Sequence, residues 1–235
     1  MHGAYLANLE TEIEWGWGTP AGQERLRRRA NLISKTAALT KDLRVLEIGC
    51  GTGVFTEIFA ATGCTLTAVD LSPHLLAMAK QRIGNTHNVR FLLIPFEECR
   101  EVGPFDSIIG SSVLHHMDLT KALNNIFALL QPDGKCVFAE PNHLNPQVFC
   151  ERKFRRFFPY VSQDETAFYR WHLHRKLEAS GFHEISILPF DWLHPATPAS
   201  MIPFMSSFGR FLEKLPLMRE FSGSLLISAR KPIIS

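Results

Sequence analysis

Residues 45–53 read VLEIGCGTG, an apolar run that ends in alternating glycines. Glycine lets the backbone turn tightly and approach a ligand without a clash at Cβ. The pattern predicts a strand, a tight turn and a helix, with the turn at the carboxyl end of the strand, where open α/β sheets bind ligands. Several kinds of nucleotide-binding fold share a turn of this type. Taken alone, the stretch indicates a ligand site on an α/β sheet and leaves the ligand open.

Strand and helix patterns alternate along the chain around this turn. Strands are expected at 44–48, 65–70, 89–94, 107–111, 135–140, 182–188 and 224–230. Helices are expected from residue 20, where Thr19 and Pro20 form a start signal, and at 54–62, 73–82, 119–130, 166–180 and 208–215. Such alternation predicts an α/β fold, a mostly parallel sheet with helices on both faces. The last two strands follow each other without a full crossover, which indicates an antiparallel last strand.

The length of 235 residues suits a single domain. We interpret residues 1–40 as an N-terminal segment, irregular as far as Trp17, with a helix after it, and residues 41–235 as the domain. The stretches 141–165 and 189–221 fall outside the alternating core and are rich in aromatic residues. We expect these insertions, with the segment around Trp15, to form a lid at the ligand end of the sheet.

Composition and charge argue against several other classes of protein. The net charge of +2 is small for a nucleic-acid binder, and basic clusters at 25–29 and 152–156 are typical of solvated helix faces. Five cysteines without CxxC spacing argue against a disulfide framework or a zinc site. Acidic residues occupy 10, 12 and 14 in place of a signal peptide, and no apolar run reaches the about 20 residues of a membrane span. We expect a soluble, cytoplasmic protein without a transmembrane segment.

Asp70 ends the second expected strand and narrows the choice of ligand. A carboxylate at this place accepts hydrogen bonds from both hydroxyls of a ribose and repels the 2′-phosphate of NADP. NAD remains possible, but its fingerprint has a third glycine at GxGxxG spacing, whereas the last glycine here comes early, at Gly53. The short loop favours a ligand without a pyrophosphate.

Four segments in this order resemble those of the class I S-adenosylmethionine (SAM) dependent methyltransferases. They are VLEIGCGTGVFT (45–56), AVDLSPHLLAMAKQR (68–82), FDSIIGSSVLHHM (105–117) and LLQPDGKCVFAEPN (129–142). The resemblance implies a three-layer, Rossmann-like sheet of seven strands with a reversed last strand. It also implies SAM as the cofactor and S-adenosylhomocysteine as the product.

The resemblance also assigns roles to individual residues. Gly49, Cys50 and Gly51 form the loop under the methionine part of SAM, with Glu47 orienting the loop and the ammonium group. Asp70 holds the ribose, Leu71 packs on the adenine, and Ser111 and Ser112 lie near the methionine end. The family often has an acid and a small residue after the third strand. The chain reads IPFEE there, so Phe96 is expected to cover the adenine and Glu97 to replace the acid.

Two further roles concern charge. Among Arg25, Arg27, Arg28 and Arg29, the last flanks the apolar stripe of its helix best and is the candidate for the SAM carboxylate. Histidine titrates near neutral pH, so His116, or less favourably His115, is the candidate base where the acceptor carries a proton. The pair can equally have a packing role. Other basic or hydroxyl candidates in the chain are His143, His172, His174 and Tyr169.

The sequence as a whole predicts methyl transfer from SAM to a small acceptor that is apolar, aromatic or lipid-linked, since ligand pockets with aromatic walls suit such molecules. The alternatives are a protein or RNA methyltransferase, a SAM-binding protein without methyl transfer, and an NAD-dependent oxidoreductase. The basic and aromatic run ERKFRRFFPY (151–160) also allows peripheral contact with a membrane. No metal site and no oligomeric state are inferred.

Overall fold

A seven-stranded sheet forms the centre of the molecule, in the order β3-β2-β1-β4-β5-β7-β6. The structure, a computed structural model, describes residues 11–154, 156 and 166–233. The strands are β1 (Arg44–Ile48), β2 (Thr65–Asp70), β3 (Val89–Leu93), β4 (Phe105–Ser111), β5 (Leu130–Pro141), β6 (His183–Phe190) and β7 (Ser224–Arg230).

Strands β1 to β5 run parallel to one another, and β7 is antiparallel to both β5 and β6. This confirms the mostly parallel α/β sheet with a reversed last strand. The strand order changes direction between β1 and β4, and open sheets bind ligands in the crevice at the carboxyl ends of such strands. The glycine loop after β1 therefore opens onto this crevice.

Helices cover both faces of the sheet. They are α1 (Thr11–Glu14), α2 (Pro20–Thr36), α3 (Val54–Ala60), α4 (Pro73–Ile83), α5 (Leu119–Leu129), α6 (Pro146–Lys153), α7 (Arg170–Ala179), α8 (Ile202–Leu212) and α9 (Pro216–Arg219). The alternation of strand side chains divides the core in two. Val45 and Ile109 pack with α2 and α3 on one face, whereas Leu46 and Ile108 pack with α5 and α7 on the other.

Local capping signals place the helix ends as the sequence predicts. The Thr19 hydroxyl accepts a hydrogen bond from Gly22 N at 3.0 Å, and the Ser72 hydroxyl accepts one from Leu75 N at 3.3 Å. Gly181, just after α7, has a φ of +90°, as a glycine that ends a helix often does.

The main departures from the sequence-based expectations fall in the two insertions and near the N-terminus. Helix α6 lies within 141–165, where no helix is expected from the sequence. Its proline lies in the first turn behind the Asn145 cap. Helix α8 begins six residues earlier than the expected 208, again with a proline in its first turn. Helix α7 begins at Arg170 and not at 166, because Phe168 pairs with Asn142 in an isolated β-bridge. The segment expected to be irregular contains α1.

Parts of the expected lid and of the basic, aromatic run lie outside the described residues. These are 155 and 157–165, with the aromatic side chains Phe157, Phe158 and Tyr160, and the first ten residues. Within the described ranges, no helix combines the length and apolar character that a bilayer crossing requires.

Replacing Gly53 with alanine is expected to lower the free energy of unfolding more than replacing Gly63. Both glycines have a left-handed backbone, with φ of +82° and +83°, which costs about 1–2 kcal/mol for alanine. A Cβ at Gly53 would also lie 2.9 Å from Ala79 Cα, whereas a Cβ at Gly63 would lie 3.4 Å from Lys41 Cβ. Overpacking adds about 1–3 kcal/mol. Urea unfolding measures both losses, and equal values would contradict close packing of α3 on α4.

Candidate functional site

The glycine loop is held against the ends of two strands. Gly49 N and Cys50 N donate hydrogen bonds to Val69 O at 2.9 and 3.1 Å, which fixes the loop to the end of β2. A Cβ on Gly49 would lie 2.7 Å from Val113 Cγ2, in the loop after β4. Only glycine permits this approach together with a φ of +70°. The loop therefore presents bare backbone at the carboxyl end of β1.

The carboxylate of Asp70 lies between the glycine loop and the start of α4. Its Oδ2 accepts a hydrogen bond from Gly51 N, and its Oδ1 accepts one from Ser72 N, each at 2.8 Å. A carboxylate has about four acceptor sites, so it can still accept bonds from a ligand's hydroxyl groups. Leu71, the next residue, is 70% exposed and offers an apolar surface beside this carboxylate. Both positions agree with the expected ribose and adenine contacts, which we retain as proposals.

Glu47 is a buried carboxylate with an unpaired oxygen. Its Oε2 has no hydrogen-bond partner among the described residues, and its side chain lies on the face of the sheet covered by α2 and α3. Burial raises the pKa of Glu47 to about 8, an effect opposed by the Thr56 hydroxyl and increased by the charge of Asp70. A buried acid of this kind is suited to a cationic ligand, since burying a charge is costly unless it is paired.

Arg29 is a buried cation on the same face of the sheet. Its Nη1 donates to the hydroxyls of Ser111 and Ser112 at 3.2 and 2.8 Å, and its Nη2 donates to the Ser224 hydroxyl. Its guanidinium carbon lies 5.3 Å from the ring centroid of Trp17. Burial, with a smaller contribution from the charge of Arg25, lowers the pKa of Arg29 to about 10, so it remains charged at neutral pH.

The three other arginines of α2 have acidic partners. Arg25 Nε lies 2.9 Å from Asp191 Oδ2, Arg28 binds Glu213 through two hydrogen bonds, and the exposed Arg27 lies 3.9 Å from Glu24. No acidic side chain of the described residues forms an ion pair with Arg29. Of the four sequence candidates, Arg29 is the buried one that forms no ion pair among the described residues, and its role in binding an anion stays a proposal.

The segment around Trp15 packs on the glycine loop, at the ligand end of the sheet where the sequence leads us to expect it. A Cβ on Gly51 would lie 3.3 Å from the six-membered ring of Trp15. Arg82, at the end of α4, forms an ion pair with Glu12 and donates a hydrogen bond to Thr52 O at 3.0 Å. The Trp15 ring therefore lies over the loop and is tied there by α1.

Glu140 is a second buried acid that the sequence interpretation missed. Its Oε1 accepts hydrogen bonds from Val113 N and Leu114 N at 2.9 Å, and its Oε2 lies 2.8 Å from His115 Nδ1. Although burial raises it, these bonds together lower the pKa of Glu140 below its ordinary value. An acid that ends an apolar strand, as in CVFAE, is the sequence signal that points to such a residue.

The two histidines after β4 take different positions. His115 is buried and bound to Glu140, so the structure supports a packing role for it. His116 is exposed, and its ring centroid lies 4.0 Å from that of His115. It is therefore the member of the pair that is accessible from solvent, and its role as a base stays a proposal.

The other candidate bases separate into two groups. His143 lies after β5, with its ring centroid 4.5 Å from that of Tyr169, and burial, with Arg152, lowers its pKa. His172 and His174 are exposed on α7, which packs on the face of the sheet opposite Arg29. We therefore do not retain His172 or His174 as site residues.

Two expectations for the stretch after β3 need correction or restraint. Phe96 is 3% exposed and packs in the core with Cys99 and Ile108, so it does not form a surface that covers an adenine. A 3-10 helix after Pro95 causes this, because residues three apart share one side of it and Phe96 and Cys99 point inward together. Glu97 is exposed on the other side, and its contact with the adenine remains a proposal.

The Cys50 side chain, in the glycine loop, points inward against α4, so only its backbone belongs to the surface of the loop.

The chain is similar to methyltransferases in sequence and in fold. A model of the methyltransferase domain family matches residues 21–199. Nodulation protein S of Sinorhizobium fredii is 25% identical over 57% of this chain and 64% of its own length. A demethylmenaquinone methyltransferase of Tropheryma whipplei is 30% identical over 54% of this chain and 53% of its own length. The chain thus spans less than two thirds of these curated relatives.

Solved structures show the same fold. The N-methyltransferase NodS of Bradyrhizobium japonicum, solved with S-adenosylhomocysteine, has a TM-score of 0.64 and 21% identity, covering 97% of this chain and 94% of that one. At this identity the likeness shows the shared fold.

Replacing Asp70 with asparagine is expected to weaken SAM binding about tenfold to a hundredfold, because a hydrogen bond to a charged acceptor contributes about 1.5–3 kcal/mol. Calorimetric titration measures the change. Asp42→Asn is the matched control, since Asp42 is exposed and precedes β1 at the opposite edge of the sheet. Unchanged affinity in D70N would contradict the site.

Replacing Glu47 with glutamine is expected to stabilise the ligand-free protein at high pH. The folded-state pKa of about 8 exceeds the ordinary value of 4.5, so the folded state holds a proton that the unfolded state releases. The wild type therefore loses free energy of unfolding as pH rises from about 4.5 to 8. Glutamine cannot ionise, so E47Q avoids this loss and should have a free energy of unfolding about 1 kcal/mol or more above that of the wild type at pH 9. Urea unfolding at pH 5 and pH 9 tests it. Glu57→Gln, on the exposed side of α3, is the control. If E47Q lost as much free energy of unfolding between pH 5 and pH 9 as the wild type does, the result would contradict this explanation.

Proposed function

The chain belongs to the methyltransferase domain family, of the class I SAM-dependent type, and we propose that it transfers a methyl group from SAM to a small acceptor. We propose further that this acceptor is apolar or aromatic, including lipid-linked molecules. S-adenosylhomocysteine is the product of this reaction.

The observation that carries the proposal is a buried acid and a buried cation that do not pair with each other. Glu47 lacks a cation and Arg29 lacks an acidic partner within the described residues, and both lie between the sheet and helices α2 and α3. The amino-acid end of SAM carries one ammonium and one carboxylate. We propose that Glu47 binds the ammonium and Arg29 the carboxylate, so that the ligand supplies the missing partner of each.

The remaining groups fit the rest of the same ligand. Gly49 and Gly51 leave space for a close approach of the ligand to the backbone. Asp70, oriented by two amides, can accept hydrogen bonds from two ribose hydroxyls, and exposed Leu71 can pack against an adenine. Trp15 lies over Gly51 and can close the loop against water.

SAM supplies an electrophilic methyl group on a sulfonium, and the protein's part is to align an acceptor with it. Positioning contributes strongly to such a displacement, and a base is needed only where the nucleophile keeps a proton. Glu140 fixes the loop after β4 through the amides of Val113 and Leu114. This leaves the exposed His116 as the group we propose for proton removal.

A small acceptor is supported by the relatives and by the charge of the chain. The relatives include a demethylmenaquinone methyltransferase and a ubiquinone biosynthesis O-methyltransferase, names that indicate small acceptors for those proteins. The ring of His143, after β5, contacts those of Phe149 and Tyr169, which gives the expected lid an aromatic character. The net charge of +2 does not favour RNA. A protein substrate, or SAM binding without methyl transfer, is the competing function.

The first experiment compares three ligands by calorimetric titration: S-adenosylhomocysteine, 5′-methylthioadenosine and NAD. 5′-Methylthioadenosine lacks the amino-acid end, so Arg29→Gln and Glu47→Gln should each weaken S-adenosylhomocysteine about tenfold or more and leave 5′-methylthioadenosine unchanged. Arg27→Gln is the control for Arg29, because Arg27 is exposed on the same helix. Tighter binding of NAD than of S-adenosylhomocysteine would overturn the proposed cofactor. Equal weakening of S-adenosylhomocysteine and 5′-methylthioadenosine by the two substitutions would overturn the roles proposed for Arg29 and Glu47.

Methyl transfer itself is tested with labelled SAM and a panel of phenols, quinones, amines and a mixed-peptide substrate. Label in a phenol or quinone supports the proposal, and label only in peptides favours the protein methyltransferase. Tight SAM binding with no labelled product from the panel favours a binding role without transfer.

Replacing His116 with glutamine is expected to lower kcat about a hundredfold for acceptors that lose a proton, because general base catalysis contributes about 10²–10⁴-fold. KM for SAM should stay the same, since the proposal gives His116 a contact with the acceptor and none with SAM. Steady-state kinetics at pH 6–9 with the best acceptor measure the effect, and H174Q on α7 is the control. A kcat within threefold of wild type would remove His116 as the base.

A further inference from the structure

Helix α8 carries an apolar stripe that faces solvent. Met201, Phe204, Phe208 and Phe211 are spaced three, four and three residues apart, so they share one side of the helix. The three phenylalanines are 66%, 45% and 54% exposed, and the rings of Phe204 and Phe208 stack at 6.0 Å. We call these four residues the α8 stripe.

The exposed apolar residues of the protein are concentrated around the stripe and are not scattered evenly over the surface. Of sixteen large apolar residues that are exposed in the described structure, eight lie between 201 and 221. Monomeric soluble proteins rarely expose contiguous apolar patches of this kind unless the patch binds something.

The other sides of α8 are accounted for by packing and charge. Gly209 lies against Trp192, where a Cβ would be 2.9 Å from Trp192 Cβ, and Glu213 is bound by Arg28. Between this inner side and the stripe are Arg210 and Lys214, which are both exposed. The helix therefore has an inner face, a basic border and an apolar outer face.

The net charge beside the stripe is positive. The two acids of this segment are neutralised, since Glu213 pairs with Arg28 and Glu220 with Arg170. Arg210 and Lys214 form no ion pair among the described residues. A symmetric contact between two copies through this face would bring these unpaired cations together, which disfavours self-association. An anionic lipid surface complements both the apolar stripe and its basic border.

The connection that contains the stripe begins and ends at the same edge of the sheet as the candidate site. Strand β6 ends at Phe190, which pairs with Ser224, and Ser224 in turn lies opposite Pro141 at the carboxyl end of β5. The connection that contains α8 therefore leaves and re-enters the sheet at the edge where the glycine loop opens.

We propose that the α8 stripe docks the protein on an anionic membrane surface, with the phenylalanines in the interface and Arg210 and Lys214 on the lipid phosphates. This docking requires neither SAM nor methyl transfer. Its link to the proposed function is that a lipid-linked acceptor would reach the site from the membrane.

The test is sedimentation of the full chain with vesicles of phosphatidylglycerol and phosphatidylcholine, and with phosphatidylcholine alone. The wild type should bind the anionic vesicles. F204S/F208S should bind them at least tenfold more weakly, and R210E/K214E should lose the preference for anionic over neutral vesicles. W171S/L188S is the matched control, because Trp171 and Leu188 are 47% and 50% exposed elsewhere on the surface. It should bind like the wild type.

Folding and cofactor binding are checked for every variant by thermal unfolding and by titration with S-adenosylhomocysteine. F204S/F208S should pass both, so loss of vesicle binding with retained cofactor binding separates this proposal from the proposed function. Equal vesicle binding by wild type and F204S/F208S would overturn it, as would a loss in W171S/L188S of the same size. A wild-type dimer that F204S/F208S abolishes, without vesicle binding, would assign the stripe to a second copy instead.

Discussion

A buried acid, Glu47, and a buried cation, Arg29, neither of which forms an ion pair within the described part of the chain, are the constraint around which the site is built. Burying a single charge is expensive, and a protein tolerates it where hydrogen bonds or a ligand compensate. Arg29 is compensated in part by three hydroxyls and by the ring of Trp17. Glu47 is compensated by a proton, which its raised pKa retains. A zwitterionic ligand could take the place of the proton on Glu47 and provide a carboxylate for Arg29.

A second set of charges holds the connection between β6 and β7 on the sheet. Arg25 and Arg28 of α2 bind Asp191 and Glu213, on the connection between β6 and β7. The side chain of Asn142 donates hydrogen bonds to Glu220 O and Ser222 O at 2.8 and 2.7 Å, from the end of β5. The connection between β6 and β7 is therefore held both by α2 and by the end of β5. This fixes the direction of α8 and leaves its apolar stripe pointing outward.

Glu140 shows how a structural residue determines the chemistry that its neighbours can perform. Its carboxylate takes up two amides and the ring of His115, so the turn after β4 has a single arrangement. One histidine becomes part of the core as a result, and the next is left at the surface. The LHH pattern does not distinguish the two residues, whereas the buried acid does.

The sheet, the glycine loop and the acid after it can be predicted from the sequence, because they depend on periodicity within each element and on spacing within one strand–turn–helix–strand unit. Strand alternation, the caps at Thr19 and Ser72, and the Gly49 to Asp70 spacing are all local signals. The tertiary structure decided which charges pair. Helix periodicity favours Arg29 among the arginines of α2, but the pairing of Arg25 and Arg28 depends on Asp191 and Glu213, more than 160 residues away. Phe96 was misplaced for the same reason: whether an aromatic side chain covers a ligand or fills a core depends on how its turn packs against distant strands.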